Sequence, residues 1–208
     1  MEFLRKLFGP SKKEIWQELS RRMGGQFVDG GWLGKDAVVV SHKEWTIVLD
    51  NYVVSTGKTT HTYTRIRAPY INKDGFRFTI YRRNFFADVG KFFGMEDVEI
   101  GEDEQFDFDF IIKGNDHYKL WKFFANPRIR YLFNEQPRIK VTVKSATPQS
   151  PFGSFGKNVD ELQFIVHGII KDIDQLHKLF DLFAEMLDHL CHINSAYEDD
   201  PTLKNYYS

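Results

Sequence analysis

Residues 59–82, TTHTYTRIRAPYINKDGFRFTIYR, contain two runs in which small, β-branched or apolar side chains alternate with larger polar ones. Alternation with a period of two is typical of β-strands, because successive side chains of a strand point to opposite faces of a sheet. Between the runs, Asn72-Lys-Asp-Gly75 is a strong turn signal. Two strands that are joined by such a short turn favour antiparallel pairing. The stretch therefore predicts an antiparallel sheet.

Further strands are predicted on both sides of this stretch from β-branched or alternating residues. They cover residues 37–41, 45–55, 138–144 and 162–167, and a run that begins at Phe106 and is ended by Gly114. In the run 106–110, Phe106, Phe108 and Phe110 alternate with aspartates. This alternation predicts a strand whose phenylalanines point inward and whose carboxylates point outward.

Helix signals lie between and beyond the strands. Ser11-Lys-Lys-Glu14 forms a capping box and predicts a helix over 11–23 that ends at Gly24-Gly25. Asn84 predicts a short helix over 85–93. Asp116 or Asn115 predicts another helix, which is interrupted at Asn126-Pro127 and followed by a second helix to about residue 134.

The longest helix is predicted after Asp172, where apolar residues recur at spacings of three and four over 173–193. Such a wide apolar stripe favours packing on a sheet. The chain of 208 residues is therefore predicted to be one α+β domain spanning 1–208. We expect a mostly antiparallel sheet of six to eight strands, with helices packed on one face and a long C-terminal helix. Residues 1–9 are predicted to be an amphipathic segment, and residues 195–208 a loosely held acidic tail.

Composition excludes several classes of protein. The chain is 42% hydrophobic and has a net charge of −1, so it is neither a disordered chain nor a strongly basic nucleic-acid binder. Its one cysteine, Cys191, cannot form an internal disulfide, and no apolar run is long enough to span a membrane. The N-terminus is too short and too charged for a signal peptide. We therefore expect a cytoplasmic protein, which leaves room for peripheral membrane association.

Charge is unevenly distributed along the chain. Basic residues dominate 1–91 and 117–157, whereas acidic residues dominate 92–116 and 158–208. One strand surface is predicted to carry five arginines, namely Arg65, Arg67, Arg77, Arg82 and Arg83. This basic face is compatible with a polar outer sheet surface, and also with binding of single-stranded nucleic acid through stacking and phosphate contacts.

Four short motifs resemble catalytic, phosphate-binding or metal-binding sites, but each lacks the spacing or the neighbouring elements that such a site requires. Gly57-Lys58-Thr59 resembles the end of a phosphate-binding loop but lacks its first glycine and the following helix. The acidic residues near 96–109 lack the ligand order of a calcium loop. His189, Cys191 and His192 lack the paired spacing of a zinc site. Ser154 lacks the strand and helix of a nucleophile elbow. The sequence thus predicts no catalytic residue, metal site or cofactor.

Two apolar surfaces are left without an evident structural role. The first has Phe3, Leu4, Leu7 and Phe8 on one side of a short basic helix. The second is the pair Phe152 and Phe155 in a loop rich in proline and glycine. Both are predicted to contact a membrane or a partner protein, and the alternative is that they fold back onto the core.

Residues 78–133 resemble a bacterial domain family of unknown function. The resemblance rests on Lys91-Phe-Phe-Gly94, on Met95-Glu-Asp-Val-Glu99, on Lys113-Gly114-Asn-Asp116, and on a helix closing at Arg130-Tyr-Leu-Phe133. Members of that family often carry the domain behind transmembrane helices. The resemblance implies a membrane-proximal module and supplies no catalytic residues.

The leading functional hypothesis is a non-enzymatic binding or scaffold module that acts at a membrane surface or on a partner protein. One alternative is a small-ligand-binding protein or an enzyme with a pocket between the sheet and the helices. A second alternative is a binder of single-stranded nucleic acid. The apolar stripe over 173–193 could also serve a homo-oligomer as readily as a core.

Overall fold

The computed structural model describes residues 9–31, 36–85, 98–101, 103–147 and 154–202. It confirms an α+β fold built on one antiparallel sheet, with a long helix near the C-terminus. No helix among these residues has the length and apolar character needed to cross a membrane.

Among the described residues the sheet has nine strands, and every neighbouring pair of named strands is antiparallel. In chain order the strands are β1 (Gln26–Val28), β2 (Ala37–His42), β3 (Trp45–Ser55), β4 (Thr60–Asn72), β5 (Phe78–Arg82), β6 (Phe110–Gly114), β7 (Lys140–Ser145), β8 (Val159–His167) and β9 (Ala196–Tyr197). Their spatial order is β1-β2-β3-β4-β8-β7-β5-β6, and β9 pairs with Ile71 and Asn72 at the end of β4, on the edge opposite β8.

Five α-helices accompany the sheet in the described part of the chain. They are α1 (Lys12–Arg22), α2 (Glu104–Asp109), α3 (His117–Phe124), α4 (Pro127–Asn134) and α5 (Ile173–His192). The predicted caps begin three of them: Ser11 and Glu14 form the capping box of α1, and Asp116 and Asp172 cap α3 and α5. Asn126, at the predicted interruption, caps α4. Each capping side chain satisfies backbone N–H groups that have no partner within the helix.

Alternation along the strands separates the two faces of the sheet. Side chains such as Leu49, Ile66 and Phe164 belong to one core cluster with the buried residues of the helices. The residues between them, such as Asp50, Arg65 and Gln163, lie on the opposite face. The helices therefore pack on one face, as predicted, and we call the other face the open face.

The strand predicted to begin at Phe106 and to end at Gly114 is present with that end but with a later start. Residues 104–109 form helix α2, and the strand begins only at Phe110. Asp103 causes the change, because its side chain accepts the N–H of Phe106 at 3.0 Å and caps the helix. Phe106 and Phe110, four residues apart, are both buried, whereas Phe108 is 70% exposed. The inward orientation predicted for Phe108 is therefore wrong as well.

The turn at 72–75 forms as predicted, but it does not join two neighbouring strands. The Asn72 side chain accepts N–H groups from Asp74 and Gly75, and Gly75 has φ +75°. The chain then leaves β4 and re-enters the sheet as β5, beyond β8 and β7. The two alternating runs therefore belong to one antiparallel sheet without pairing with each other.

Several predicted segments fall wholly or partly outside the described residues. This applies to most of the short helix over 85–93, to residues 148–153 of the loop, and to residues 203–208 of the tail. At the start of that short helix, Arg83–Phe85 form a 3-10 helix. Residues 195–202 make specific contacts: Ser195 is buried, β9 pairs with β4, and Thr202 forms a bridge with Phe155.

Candidate functional site

A groove opens on the helical side of the molecule between α3, the start of α4 and the end of α5. Its volume is about 590 Å³. It is lined by Trp121, Lys122, Ala125, Asn126, Pro127, His189, His192 and Ile193. We call this feature the α3–α5 groove.

The amphipathic pattern of α3 places Trp121 at this groove, with Tyr118 beside it. Leu120, Phe123 and Phe124 are buried, so the helix must direct Tyr118 and Trp121 outward. Tyr118 is 63% exposed and Trp121 is 43% exposed. Large aromatic side chains with this much exposure are typical of binding surfaces.

Tyr118 and Trp121 form a stacked pair. Their ring centroids are 6.2 Å apart and their planes are inclined by 18°. The Lys122 ammonium lies 4.4 Å from the centroid of the Tyr118 ring, within the range of a cation–π contact. The result is an exposed aromatic surface with a positive charge at its edge.

Asn126 fixes the geometry where the two short helices meet. Its side-chain oxygen accepts the N–H of Arg128, and its amide donates to Glu185 of α5 at 2.8 Å. Pro127 occupies the first turn of α4, where its missing N–H has no cost. The groove is therefore built on hydrogen-bonded helix ends.

Two histidines form the wall of the groove on α5. The His189 and His192 rings are stacked with centroids 5.3 Å apart, and the His189 Nε2–H donates to the Lys122 carbonyl at 3.1 Å. Burial lowers the pKa of His189, and the neighbouring His192 acts in the same direction. The Lys122 carbonyl and Glu185 oppose this shift without reversing it.

The lowered pKa of His189 predicts a loss of stability in acid. The folded state favours the neutral ring. Its contribution to the free energy of unfolding is therefore fully present above pH 6.5, the ordinary pKa of histidine. This contribution is lost as the pH falls from there toward the lower pKa of the folded state. We expect His189→Gln to lose less stability than the wild type between pH 7.5 and pH 5.5. Denaturant midpoints at the two pH values measure this, with the more exposed His177→Gln as control. Equal losses in wild type and His189→Gln would contradict it.

The open face carries a buried charge network on β3 and β4. Asp50 accepts two hydrogen bonds from Arg65, at 2.7 and 2.8 Å, and one from Arg67 at 2.7 Å. The Arg67 side chain is 1% exposed. On β8, the buried Glu161 contacts Gln163 at 3.0 Å and Lys144 at 3.4 Å, and burial raises the pKa of this carboxyl although the nearby cations oppose the rise.

The five arginines of the predicted basic face contact different parts of the molecule. Arg65 and Arg67 share Asp50 on the open face, whereas Arg77 pairs with Asp160. Arg82 pairs with Asp109 and covers the Phe110 ring, and Arg83 donates to the backbone carbonyls of Asp107 and Phe108. Every one of these arginines therefore has an acidic or carbonyl partner.

The predicted apolar contact residues fall largely outside the described part of the chain. This holds for Phe3, Leu4, Leu7, Phe8 and Phe152. Phe155 is half-buried and packs against the small cluster of Ala37 and Val48 on the open face. Its ring therefore already makes contacts within this molecule.

Sequence reasoning missed Tyr118 and Trp121, although the signal was present. Once α3 is recognised, the apolar residues Leu120, Phe123 and Phe124 define its buried side. Tyr118 and Trp121 then lie on the opposite side by helical periodicity alone. The contribution of His189 and His192 could not be found in this way, because it depends on α5 packing beside α3.

The space between the sheet and helices α2 to α4 is filled by interlocking phenylalanine rings. Neighbouring rings have centroids 4.6 to 6.4 Å apart. The cluster consists of Phe76, Phe78, Phe106, Phe110, Phe123, Phe124 and Phe133. These rings occupy the region in which the alternative hypothesis places a ligand pocket.

Comparison with known proteins gives a likeness of fold. No family model matches the sequence. No curated protein matches it either. The chain is similar in fold to the mycobacterial trehalose monomycolate transport factor A, TtfA. The superposition with that crystal structure has a TM-score of 0.50 and 7% sequence identity, and it covers 93% of this chain and 98% of TtfA. At this identity the likeness concerns the fold alone.

Proposed function

We propose that this protein is a non-catalytic binding module that docks on an anionic membrane surface and takes part in lipid transport there. The observation that carries the proposal is the exposed Tyr118–Trp121 pair beside the α3–α5 groove. TtfA, which has a similar fold, is named as a trehalose monomycolate transport factor. That name is the reason for proposing a role in lipid transport, and the exposed aromatic surface is the reason for proposing docking on a membrane.

The chemistry of the surface suits the boundary between lipid and water. Tyrosine and tryptophan rings are enriched at that boundary, because their apolar bodies and polar tips match its two sides. Lys122 can extend its ammonium toward anionic headgroups while its stem stays beside the Tyr118 ring. Ile193 and Pro127 add apolar surface at the same groove.

A second attachment point is proposed in the N-terminal segment. Phe3, Leu4, Leu7 and Phe8 recur at helical spacing, with Arg5 and Lys6 between them. A basic amphipathic segment of this length binds membranes weakly by itself, and stable attachment requires a second element. The α3 surface supplies that element in this proposal.

Co-sedimentation with lipid vesicles tests the proposal. We expect the full chain to bind vesicles containing phosphatidylglycerol more tightly than vesicles of phosphatidylcholine alone, and added salt to weaken binding. Replacing Tyr118 and Trp121 together with serine should weaken binding by about tenfold or more, a change that corresponds to about 1.4 kcal/mol or more. Removing residues 1–9 should weaken binding independently.

Tyr131→Ser is a matched control for the aromatic pair. Tyr131 is a 49% exposed helical tyrosine with Arg128 over its ring, but it lies beside Asp174 and Asp181 near the other end of α5. Its replacement should leave vesicle binding unchanged. Failure of the full chain to bind either vesicle would overturn the membrane proposal and shift the expectation to a protein partner. Full binding by the Tyr118→Ser/Trp121→Ser variant would exclude the α3 surface as the docking site.

A further inference from the structure

The α3–α5 groove differs from other grooves of the molecule in the charge of its lining. Lys122, His189 and His192 line it, and none of the described residues in its lining is acidic. Three other surface grooves each contain at least one carboxylate; these belong to Asp174 and Asp181, to Glu14 and Glu18, and to Asp172. A cleft lined by one sign of charge attracts ions of the opposite sign. The lining of the α3–α5 groove therefore favours an anion.

Lys122 is the permanent positive charge of this groove. Its ammonium lies beside the Tyr118 ring, and no residue in the described part of the chain forms an ion pair with it. Lys119 on the same helix, by contrast, forms ion pairs with Asp74 and Asp116. A lysine ammonium is a compact point charge with three donors, and it is a common ligand of phosphate groups. Lys122 can therefore donate to an anion without breaking an existing ion pair.

The two histidines differ in what they can offer to a ligand. They are three residues apart on α5, so both project from the same side of the helix, and their stacked planes are inclined by 17°. The His189 Nε2–H is used by the Lys122 carbonyl, which ties this ring to α3. His192 is exposed, and among the described residues its ring nitrogens have no hydrogen-bond partner. His189 therefore holds the wall in place, and His192 is available to a ligand.

Glu185 is the acidic residue that acts on this pair of rings. It lies one turn before His189 on α5, and its carboxylate accepts the amide hydrogen of Asn126 at 2.8 Å, so it holds α4 against α5. Glu185 raises the pKa of His189 and His192 lowers it, after the larger lowering by burial. A proton on one ring opposes a proton on the other, and an anion beside both rings offsets this repulsion. Bound anion and protonated histidine should therefore stabilise each other.

We propose that the α3–α5 groove binds the phosphodiester headgroup of one anionic lipid molecule, with Lys122 and His192 as donors. This inference rests on the proposed membrane docking and names the group that is recognised there. The groove volume of about 590 Å³ lies within the range of about 300–1,000 Å³ that is typical of small-ligand sites. Trp121, Pro127 and Ile193 line the same groove, so the first carbons of the acyl chains find apolar surface beside the headgroup.

Headgroup binding should strengthen in mild acid. Histidine is the side chain whose charge changes between about pH 8 and pH 5, and the protonated ring has two N–H donors. A phosphodiester does not titrate in this range, so a change in affinity reports on the protein. We expect the affinity of the wild type to be higher at pH 5.5 than at pH 7.5, and this increase to be much smaller in His192→Gln.

Calorimetric titration of the full chain with dihexanoyl-phosphatidylglycerol tests the inference, at lipid concentrations below those at which micelles form. We expect one saturable site, weakened by about tenfold or more in Lys122→Gln and in His192→Gln, because each variant loses a charge-assisted hydrogen bond. Lys171→Gln and His177→Gln are matched controls. Both residues line other grooves, near the start of α5, so these variants should bind the lipid as the wild type does.

Two further probes identify the part of the lipid that is recognised. Dihexanoyl-phosphatidylcholine has the same chains and no net charge, and should bind more weakly than the anionic lipid. Glycerophosphoglycerol has the same headgroup without chains, and binding as tight as that of the lipid would mean that the groove takes a soluble phosphodiester. If the wild type binds phosphatidylglycerol vesicles but not the monomeric lipid, or if all four variants bind the lipid equally, the headgroup inference is wrong and the membrane docking stands. Failure to bind vesicles contradicts the docking itself.

Discussion

Asp50→Asn is expected to lower the free energy of unfolding by about 3–5 kcal/mol, the usual cost of removing one partner from a buried ion pair. Asp50 accepts hydrogen bonds from both Arg65 and Arg67 on the open face. The two guanidinium groups are 12% and 1% exposed, so water cannot replace the lost carboxylate easily. The side-chain amide of asparagine has one acceptor oxygen and no negative charge, so it cannot accept hydrogen bonds from both arginines as the carboxylate does.

Chemical denaturation of wild type and variant measures this effect. Glu18→Gln is a suitable control, because Glu18 also pairs with two arginines, Arg21 and Arg22, but does so on the exposed side of α1. Exposed ion pairs contribute little, so this variant should unfold close to the wild type. If Asp50→Asn unfolds at the same denaturant concentration as Glu18→Gln, the network on the open face does not stabilise the protein.

The network also shows why the predicted basic face is difficult to interpret from sequence. Alternation correctly places Arg65 and Arg67 on one face of a strand. It does not reveal that Asp50 of the neighbouring strand lies opposite Arg65. The net charge of such a face depends on register and strand order, and these are set by contacts between distant parts of the chain.

Local signals in the sequence predict most of the elements. The capping residues Ser11, Asp116 and Asp172 each begin the helix that is expected of them. Caps act within one turn, so the sequence contains all the information they need. The same argument covers the turn at Asn72, whose side chain bonds to backbone groups two and three residues ahead.

Strand order and the α3–α5 groove could not be obtained in the same way. The turn at 72–75 suggests that β4 and β5 are neighbours, yet β8 and β7 lie between them. The groove requires α5, which begins at Ile173, to end beside α3, which begins at His117. No local pattern specifies a contact over such a separation. Periodicity could therefore find the exposed side of α3, but not the wall formed by His189 and His192.

The segment 104–110 offers the sharpest contrast between a strand and a helix. Phenylalanines at 106, 108 and 110 would all be buried on the same face of a strand. In the structure, Phe106 and Phe110 share one side of a helical turn with ring centroids 4.6 Å apart, and Phe108 lies on the other side. The two arrangements assign opposite environments to Phe108, so its replacement distinguishes them.

Phe106→Ala is expected to lower the free energy of unfolding by about 3–5 kcal/mol, whereas Phe108→Ala should change it by no more than about 0.5 kcal/mol. Phe106 is fully buried among Phe110, Phe124 and Phe133, and its loss leaves a cavity that these large rings cannot fill without shifting. Equilibrium denaturation of both variants measures the difference. Comparable losses in the two variants would mean that residues 106–110 form the strand that their alternation predicts, because a shared strand face would bury Phe108 as deeply as Phe106.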